Sequence, residues 1–275
     1  MLSLLRLLRK KKNTGRLIVR GLSYAKGGLY TEAIKAYTMA IQQNPDDVRA
    51  YNNRGSAYER AGDYHQAIAD YDKAIELKPR DAEIYYNRGI AHGKADHSEP
   101  AIADFDKAIE LNPKFADAYF NRAYIYDVLL QNPQRAIEDY TQAIQLKSKL
   151  TEAYHSRGGL YLRREDYQQA IDDFARVIRL SKRNTDAYFN RGLAYASSGN
   201  HQRAIADYTK LIELKPRDAE AYYQRGASHT ELGDDQQATK DYQKAITLHP
   251  ESEIGNLAKA KLKALNLEQG FAPET

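Results

Sequence analysis

Residues 51–79 read YNNRGSAYERAGDYHQAIADYDKAIELKP, and this stretch decides the fold. The same pattern returns 34 residues later, where residues 85–113 read YYNRGIAHGKADHSEPAIADFDKAIELNP. The returning positions are a glycine in the first half, an alanine that opens the second half, an aromatic residue four positions further on, and a closing proline. A fixed period of this length is the signature of a protein that stacks one structural repeat many times.

The pattern extends along nearly the whole chain. The first-half glycine recurs as Gly21, Gly55, Gly89, Gly158, Gly192 and Gly226. The alanine recurs as Ala33, Ala67, Ala101, Ala136, Ala170, Ala204 and Ala238. The aromatic residue recurs as Tyr37, Tyr71, Phe105, Tyr140, Phe174, Tyr208 and Tyr242. Small residues let two helices approach closely and the aromatics fill the wider gaps, so each repeat reads as a helix pair whose apolar face is buried by its neighbours.

With these residues the chain resembles the tetratricopeptide repeat (TPR) family. The resemblance implies an all-α fold, a right-handed superhelical solenoid of antiparallel helix pairs. We expect seven repeats within residues 14–250, at about 14–47, 48–81, 82–115, 116–150, 151–184, 185–218 and 219–252. A basic and apolar N-terminal segment (1–13) precedes them, and a C-terminal capping helix (251–267) and a disordered tail (268–275) follow.

The fourth repeat is the irregular one. Ala123 stands in its glycine position, its two helices are one residue further apart around residues 129–133, and it lacks the closing proline. The fifth repeat also lacks the proline, and Val177 enlarges a position that is usually small. We therefore predict a local change in superhelix geometry near residues 129–150.

Charge is distributed unevenly along the chain. Residues 1–20 carry seven basic residues and no acid, whereas the remainder has 34 basic residues against 37 acidic ones. A mildly acidic body argues against nucleic-acid binding through a basic face. The absence of cysteine excludes disulfides and thiol chemistry and agrees with a reducing compartment, so we expect a cytoplasmic protein.

Residues 1–12 are rich in leucine and then basic. Their apolar run is interrupted by Arg6 and is far shorter than the roughly 20 residues that span a bilayer. One interpretation is a capping helix whose leucines cover the open end of the first repeat. The alternatives are an amphipathic segment for a membrane surface or a partner, which gives peripheral membrane association, and a mis-assigned start or truncated precursor.

Two rows of first-helix residues are the candidate binding surface, because the resemblance implies that these positions face the concave groove. The first row is Asn52, Tyr86, Phe120, His155, Phe189 and Tyr223. The second row is Asn53, Asn87, Asn121, Ser156, Asn190 and Gln224. Amides both donate and accept, so such a row can pair with an extended peptide backbone while the aromatics anchor its side chains. The other interpretation is that the amides bond to neighbouring helices of the same protein.

A third row suggests structural ion pairs. Arg54, Arg88, Arg157, Arg191 and Arg225 are each followed 16 residues later by an aspartate: Asp70, Asp104, Asp173, Asp207 and Asp241. In the fourth repeat the spacing from Arg122 to Asp139 is 17, so the pair follows the inserted residue. Arginine suits this role because its planar group binds a carboxylate with two hydrogen bonds. Arg20 has no such aspartate and is the candidate for a free basic contact.

Other kinds of site find little support. The resemblance implies that a TPR clamp for a terminal carboxylate has Lys or Arg at positions where this chain has Glu83, Asp117, Asp186 and Glu220, which would repel a carboxylate. No metal-ligand spacing, phosphate loop or catalytic motif is present, so we expect no catalytic residue, metal or cofactor.

The sequence thus predicts a non-enzymatic adaptor or scaffold that binds an extended segment of another protein. The alternatives are a membrane-associated assembly factor tethered by residues 1–12 and the substrate-recognition arm of a larger enzyme complex. Neither the partner nor the oligomeric state follows from the sequence.

Overall fold

The computed structural model describes the backbone of residues 2–268 and the side chains of residues 13–265. Within residues 2–268 all regular elements are helical and none is a strand. This confirms the predicted all-α repeat fold. Of the predicted tail, residues 269–275 lie outside the described residues.

The chain divides into two compact bodies, one ending at Lys147 and the other starting at Ser148. The helices of the N-terminal body are α1 (Leu2–Lys26), α2 (Tyr30–Gln43), α3 (Val48–Arg60), α4 (Tyr64–Leu77), α5 (Ala82–Lys94), α6 (Ser98–Leu111), α7 (Ala116–Tyr124) with a π-helical continuation (Ile125–Leu129), and α8 (Pro133–Leu146). Those of the C-terminal body are α9 (Thr151–Arg163), α10 (Tyr167–Leu180), α11 (Thr185–Ser197), α12 (His201–Leu214), α13 (Ala219–Glu231), α14 (Asp235–Leu248) and α15 (Glu253–Glu268).

Polar side chains set the starts of most helices. Asp47 accepts a hydrogen bond from the backbone N–H of Arg49 at the start of α3, and Asp63 accepts one from Gln66 at the start of α4. Such caps satisfy N–H groups that have no partner within the helix. Between the two helices of a repeat the chain turns through a residue with positive φ, such as Gly62 at +86°.

The core of each repeat is built from the recurring alanines and aromatics. Tyr71, for example, is completely buried between α3 and α4. A Cβ atom on Gly55 would lie 2.9 Å from Cε1 of that ring, which is closer than side chains pack. The glycine and the aromatic are therefore two halves of one packing contact.

Two elements depart from the regular pattern. Helix α1 has 25 residues where α3 and α5 have 13, so the backbone of residues 2–12 continues the first helix of repeat one. In repeat four the inserted residue is absorbed by the π-helical continuation, Ile125–Leu129, and the chain then turns through Gln131, with a φ of +49°, as the other repeats turn through their own positive-φ residue. The change in superhelix geometry expected there stays a prediction.

Helix α15 follows the last pair. It buries Ala258 and Leu265 in one cluster with Tyr242 and Ala245 of α14. Among the described residues, no helix combines the length and the hydropathy that a membrane span requires.

Candidate peptide-binding surface

In repeats two to seven, the arginine of the first helix lies against the aspartate of the second helix in its own repeat. Its Nε and Nη2 atoms donate to the two carboxylate oxygens, with Nη2–Oδ1 distances between 2.6 and 2.8 Å. The pairs are Arg54–Asp70, Arg88–Asp104, Arg122–Asp139, Arg157–Asp173, Arg191–Asp207 and Arg225–Asp241. The aspartates are buried, so these groups hold the helix pairs together and do not face a ligand.

Several of these arginines also reach the preceding repeat. Nη1 of Arg88 donates to Asp72 and Nη1 of Arg122 donates to Asp106, both on the second helix of the repeat before. Arg225 makes the corresponding bond to Thr209 Oγ1, at 3.0 Å. Each such guanidinium ties three helices together.

Arg20, expected to be a free basic contact, is exposed and donates from Nε and Nη2 to the Tyr24 hydroxyl, at 3.1 and 2.9 Å. No carboxylate among the described residues binds it.

The first row of candidate residues begins with Asn52 and continues with five ring side chains, so we call it the aromatic row. Its side chains are half-buried in both bodies. Each ring packs at a tilt or edge-on against the buried aromatic of its own second helix, with centroids 5.6–6.1 Å apart. The pairs are Tyr86–Phe105 and Phe120–Tyr140 in the N-terminal body, and His155–Phe174, Phe189–Tyr208 and Tyr223–Tyr242 in the C-terminal body. One face of each ring is therefore fixed by the core while part of it stays accessible.

The second row of candidate residues, which we call the amide row, lies beside the aromatic row. Some of its side chains form hydrogen bonds within the protein. Nδ2 of Asn87 donates to Oδ1 of Asn52, at 3.1 Å. Nδ2 of Asn121 donates to the Tyr86 hydroxyl and to the Asp117 carbonyl, at 3.1 and 2.8 Å. Since Asn121 uses both of its donor hydrogens, only its carbonyl oxygen is left for a ligand.

The other members of this row are less engaged. The side chains of Asn53, Ser156, Asn190 and Gln224 are half-buried, and none has a hydrogen-bond partner within the described part of the chain. The row is thus mixed: Asn87 and Asn121 order the first helices, and Asn53 and Asn190 keep their full capacity to bind.

Open depressions lie along both rows. In the N-terminal body a cleft of about 680 Å³ is lined by α1 and α3, including Ile18, Val19, Leu22, Asn52 and Asn53; we call it the α1–α3 cleft. A neighbouring depression of about 570 Å³ joins α3 to α5 and is flanked by Asp46, Asp81 and Glu83.

In the C-terminal body a depression of about 380 Å³ is lined by His155, Phe189 and Asn190 together with Asp186 and Glu220. Burial, with the charge of Asp218 beside it, raises the pKa of the Glu220 carboxyl above its usual value. Within the described side chains, no three His, Cys, Asp or Glu residues come together as a metal site requires.

The comparisons with known proteins agree with the repeat pattern. Three tetratricopeptide repeat family models match the sequence: the first over residues 18–82, 52–94 and 156–219, the second over 82–115 and 219–252, and the third over 105–138. A search of curated proteins gives no significant match.

Solved structures show the same fold. The crystal structure of YrrB, described as a TPR protein with an unusual peptide-binding site, is 25% identical with a TM-score of 0.64 and covers 69% of this chain and 97% of its own. MamA is 28% identical with a TM-score of 0.59 and covers 62% and 92%. The C-terminal part of a TPR protein from Cytophaga hutchinsonii is 20% identical with a TM-score of 0.74 and covers 86% and 97%.

Proposed function

Because the chain belongs to the tetratricopeptide repeat family, whose members typically bind other proteins or peptides, we propose that it is a non-enzymatic adaptor that holds an extended segment of a partner protein. Within one of the two bodies, the segment lies along the first helices, on the surface that the aromatic and amide rows form there. Its backbone pairs with the amides, and its side chains contact the exposed parts of the rings.

One observation carries the proposal. Asn53 and Asn190 are half-buried, border open depressions, and have no hydrogen-bond partner within the described residues. Neither amide has an atom among the described buried side-chain atoms that lack a partner, so both are open to solvent and available to a ligand. A peptide backbone supplies a donor and an acceptor at each residue, which matches what a primary amide needs.

The test is selection of a displayed library of random peptides on the full-length protein. Asn53→Ala and Asn190→Ala are then measured singly against the selected peptides. At least one should weaken binding several-fold, since removing a hydrogen bond costs about 1 kcal/mol and a tenfold change is 1.4 kcal/mol. Lys73→Ala, on the exposed side of α4, is the control and should leave affinity unchanged.

The proposal is wrong if no peptide is selected, or if the selected peptides bind both asparagine variants as tightly as the wild type while circular dichroism shows an intact fold.

A second candidate function rests on α1. Its backbone runs as one helix from Leu2 into the first repeat, so the leucine-rich, basic residues 2–12 extend a helix whose C-terminal part is packed. Such an extension suits an interfacial helix that binds anionic lipid. Flotation with phosphatidylserine vesicles compares the full chain with one lacking residues 1–12. Equal recovery of both proteins with the vesicles would exclude this role for the segment.

A further inference from the structure

The binding surface changes character at its α1 end. The positions that hold Asn52, Asn53 and Ser56 in α3 hold Ile18, Val19 and Leu22 in α1. Val19 is 66% exposed and Leu22 is 47% exposed, and both line the α1–α3 cleft. These aliphatic side chains, which lie beside Asn52 and Asn53, offer apolar area that a bound segment can cover.

The cleft has room for a side chain. A Cβ atom built on Gly15, at the edge of the cleft, would meet no atom within 4 Å. The floor, made by Ile18 and Val19, is aliphatic and holds no ring. An aliphatic lining of this kind suits contact with a Leu, Ile, Val or Met side chain of a bound segment.

The charges around the cleft are positive. Arg16 is exposed at its edge and has no carboxylate or hydrogen-bond partner among the described residues. Arg49 is 69% exposed and binds Asp47, so its charge is partly compensated. An uncompensated guanidinium beside an aliphatic floor favours a carboxylate next to the aliphatic side chain of the ligand.

The sign reverses along the same body. The first-helix position of Arg49 is taken by Glu83 in α5 and Asp117 in α7. Asp117 already binds Lys147, whereas Glu83 has no ion-pair partner among the described residues. A ligand that crosses from α3 to α5 therefore meets positive charge first and negative charge next.

We propose that the α1–α3 cleft is a specificity pocket for the bound segment. It takes an aliphatic side chain with Asp or Glu beside it, and Glu83 takes a Lys or Arg further along. Glu83 lies on the next first helix, α5, so the basic residue follows further along the extended segment. This inference rests on the proposed function, because it names the kind of segment that the groove selects.

The experiment uses peptides selected from a random displayed library on the full-length protein. We expect the selected sequences to share an aliphatic residue next to Asp or Glu and a basic residue further along. The double variant Val19→Asn with Leu22→Ser gives α1 the residues of α3 at these positions. Its affinity should fall about tenfold or more, since the buried aliphatic contact is lost.

Two further variants sharpen the test. Met39→Lys is the matched control: Met39 is 50% exposed on α2 and is no part of the cleft, and Lys73 holds its position in repeat two. Its affinity should match that of the wild type. Arg16→Glu should weaken the binding of the selected acidic peptides and strengthen the binding of versions in which Lys replaces the acidic residue.

The outcomes distinguish a failure of the inference about the cleft from a failure of the proposed function. If the peptides lose affinity with Asn53→Ala or Asn190→Ala but bind the Val19/Leu22 double variant as tightly as the wild type, the inference about the cleft is wrong and the proposed function stands. Selected peptides without the aliphatic–acidic pair also overturn it. If no peptide is selected at all, both fail.

Discussion

At the scale of single residues, the buried aromatic of the second helix shows which atoms matter for stability. The hydroxyl of Tyr208 is buried without a hydrogen-bond partner in the described part of the chain, and Phe105 and Phe174 hold the same position in other repeats. The hydroxyl of Tyr242 instead lies 3.1 Å from Thr230 Oγ1.

We therefore predict that Tyr208→Phe keeps stability or raises it by up to ~1 kcal/mol, because an unsatisfied buried hydroxyl is lost. Tyr242→Phe should cost about 1 kcal/mol, because a buried hydrogen bond is lost. Urea unfolding of both variants measures the difference. A larger loss for Tyr208→Phe than for Tyr242→Phe would contradict this account.

Two helix-interior glycines give a second residue-scale prediction. A Cβ atom on Gly192 would lie 2.7 Å from Cε1 of the buried Tyr208 ring, whereas one on Gly159 meets only the end of the Arg163 side chain, at 4.0 Å. Gly192→Ala should destabilise by ~1–3 kcal/mol through overpacking. Gly159→Ala should stabilise by ~0.5–1 kcal/mol through helix propensity. Thermal unfolding that shifts the same way for both would show that the ring does not set the glycine requirement.

At the scale of helices, the hydrogen bonds from arginine Nη1 to the preceding repeat indicate a repeat in which this bond is missing. Arg191 binds Asp207, but the position on α10 that corresponds to Asp72 and Thr209 holds Ala175. Ala175→Asp should add a charge-assisted bond and raise stability by ~0.5–1 kcal/mol, after a helix-propensity cost of about 0.7 kcal/mol. Ala175→Asn has the same shape without the charge and is the control. Equal gains from Asp and Asn in denaturant melts would rule out the ionic tie.

The contact between α5 and α6 should respond to pH. His92 holds a position that is tyrosine in Tyr58 and Tyr161, and burial lowers the pKa of its imidazole. The groups that face it are Asp104, Arg88, His97 and Asp72, of which only the two aspartates favour its charged form.

The direction in which stability changes with pH depends on whether the folded or the unfolded state binds the proton more readily. Below a pH of about 6.5 the unfolded chain protonates this histidine more readily than the folded chain, so stability falls as pH falls through that region. Between pH 7.5 and pH 5.5 the melting temperature of His92→Tyr should fall less than that of the wild type. His65→Gln, on the exposed surface of α4, should behave like the wild type. Parallel curves for His92→Tyr and the wild type would remove His92 as the cause.

At the scale of the whole molecule, the sequence was sufficient to predict the side-chain contacts that recur within each repeat. The spacing of 16 residues, and of 17 at Arg122 and Asp139, predicted which side chains face each other across a helix pair. That works because the two helices of a repeat are fixed by a short turn and by the glycine–aromatic contact. Local geometry then determines the partner.

Contacts between repeats were harder to predict. The bond from Asn87 to Asn52 depends on how one first helix sits against the next, and no spacing rule within a repeat contains that information. The π-helical continuation after Tyr124 likewise depends on how the inserted residue is accommodated, not on its presence. The α1–α3 cleft was missed because the repeat pattern does not show which side chains of α1 its neighbours leave uncovered, and the exposure of Val19 becomes visible only in the structure.

The arginine that spans three helices has a consequence for how such a chain can evolve. In the N-terminal body Arg88 bonds to Asp72 behind it and Asp104 ahead of it, and Arg122 bonds in the same way to Asp106 and Asp139. Excision of residues 82–115 would bring Arg122 to the place of Arg88, against Asp72, so the shortened gene product would keep a carboxylate on each side of its guanidinium. We expect the excised protein to fold, and an excision two residues longer or shorter to give insoluble material. Interchangeable junctions of this kind let recombination lengthen or shorten the array in whole steps.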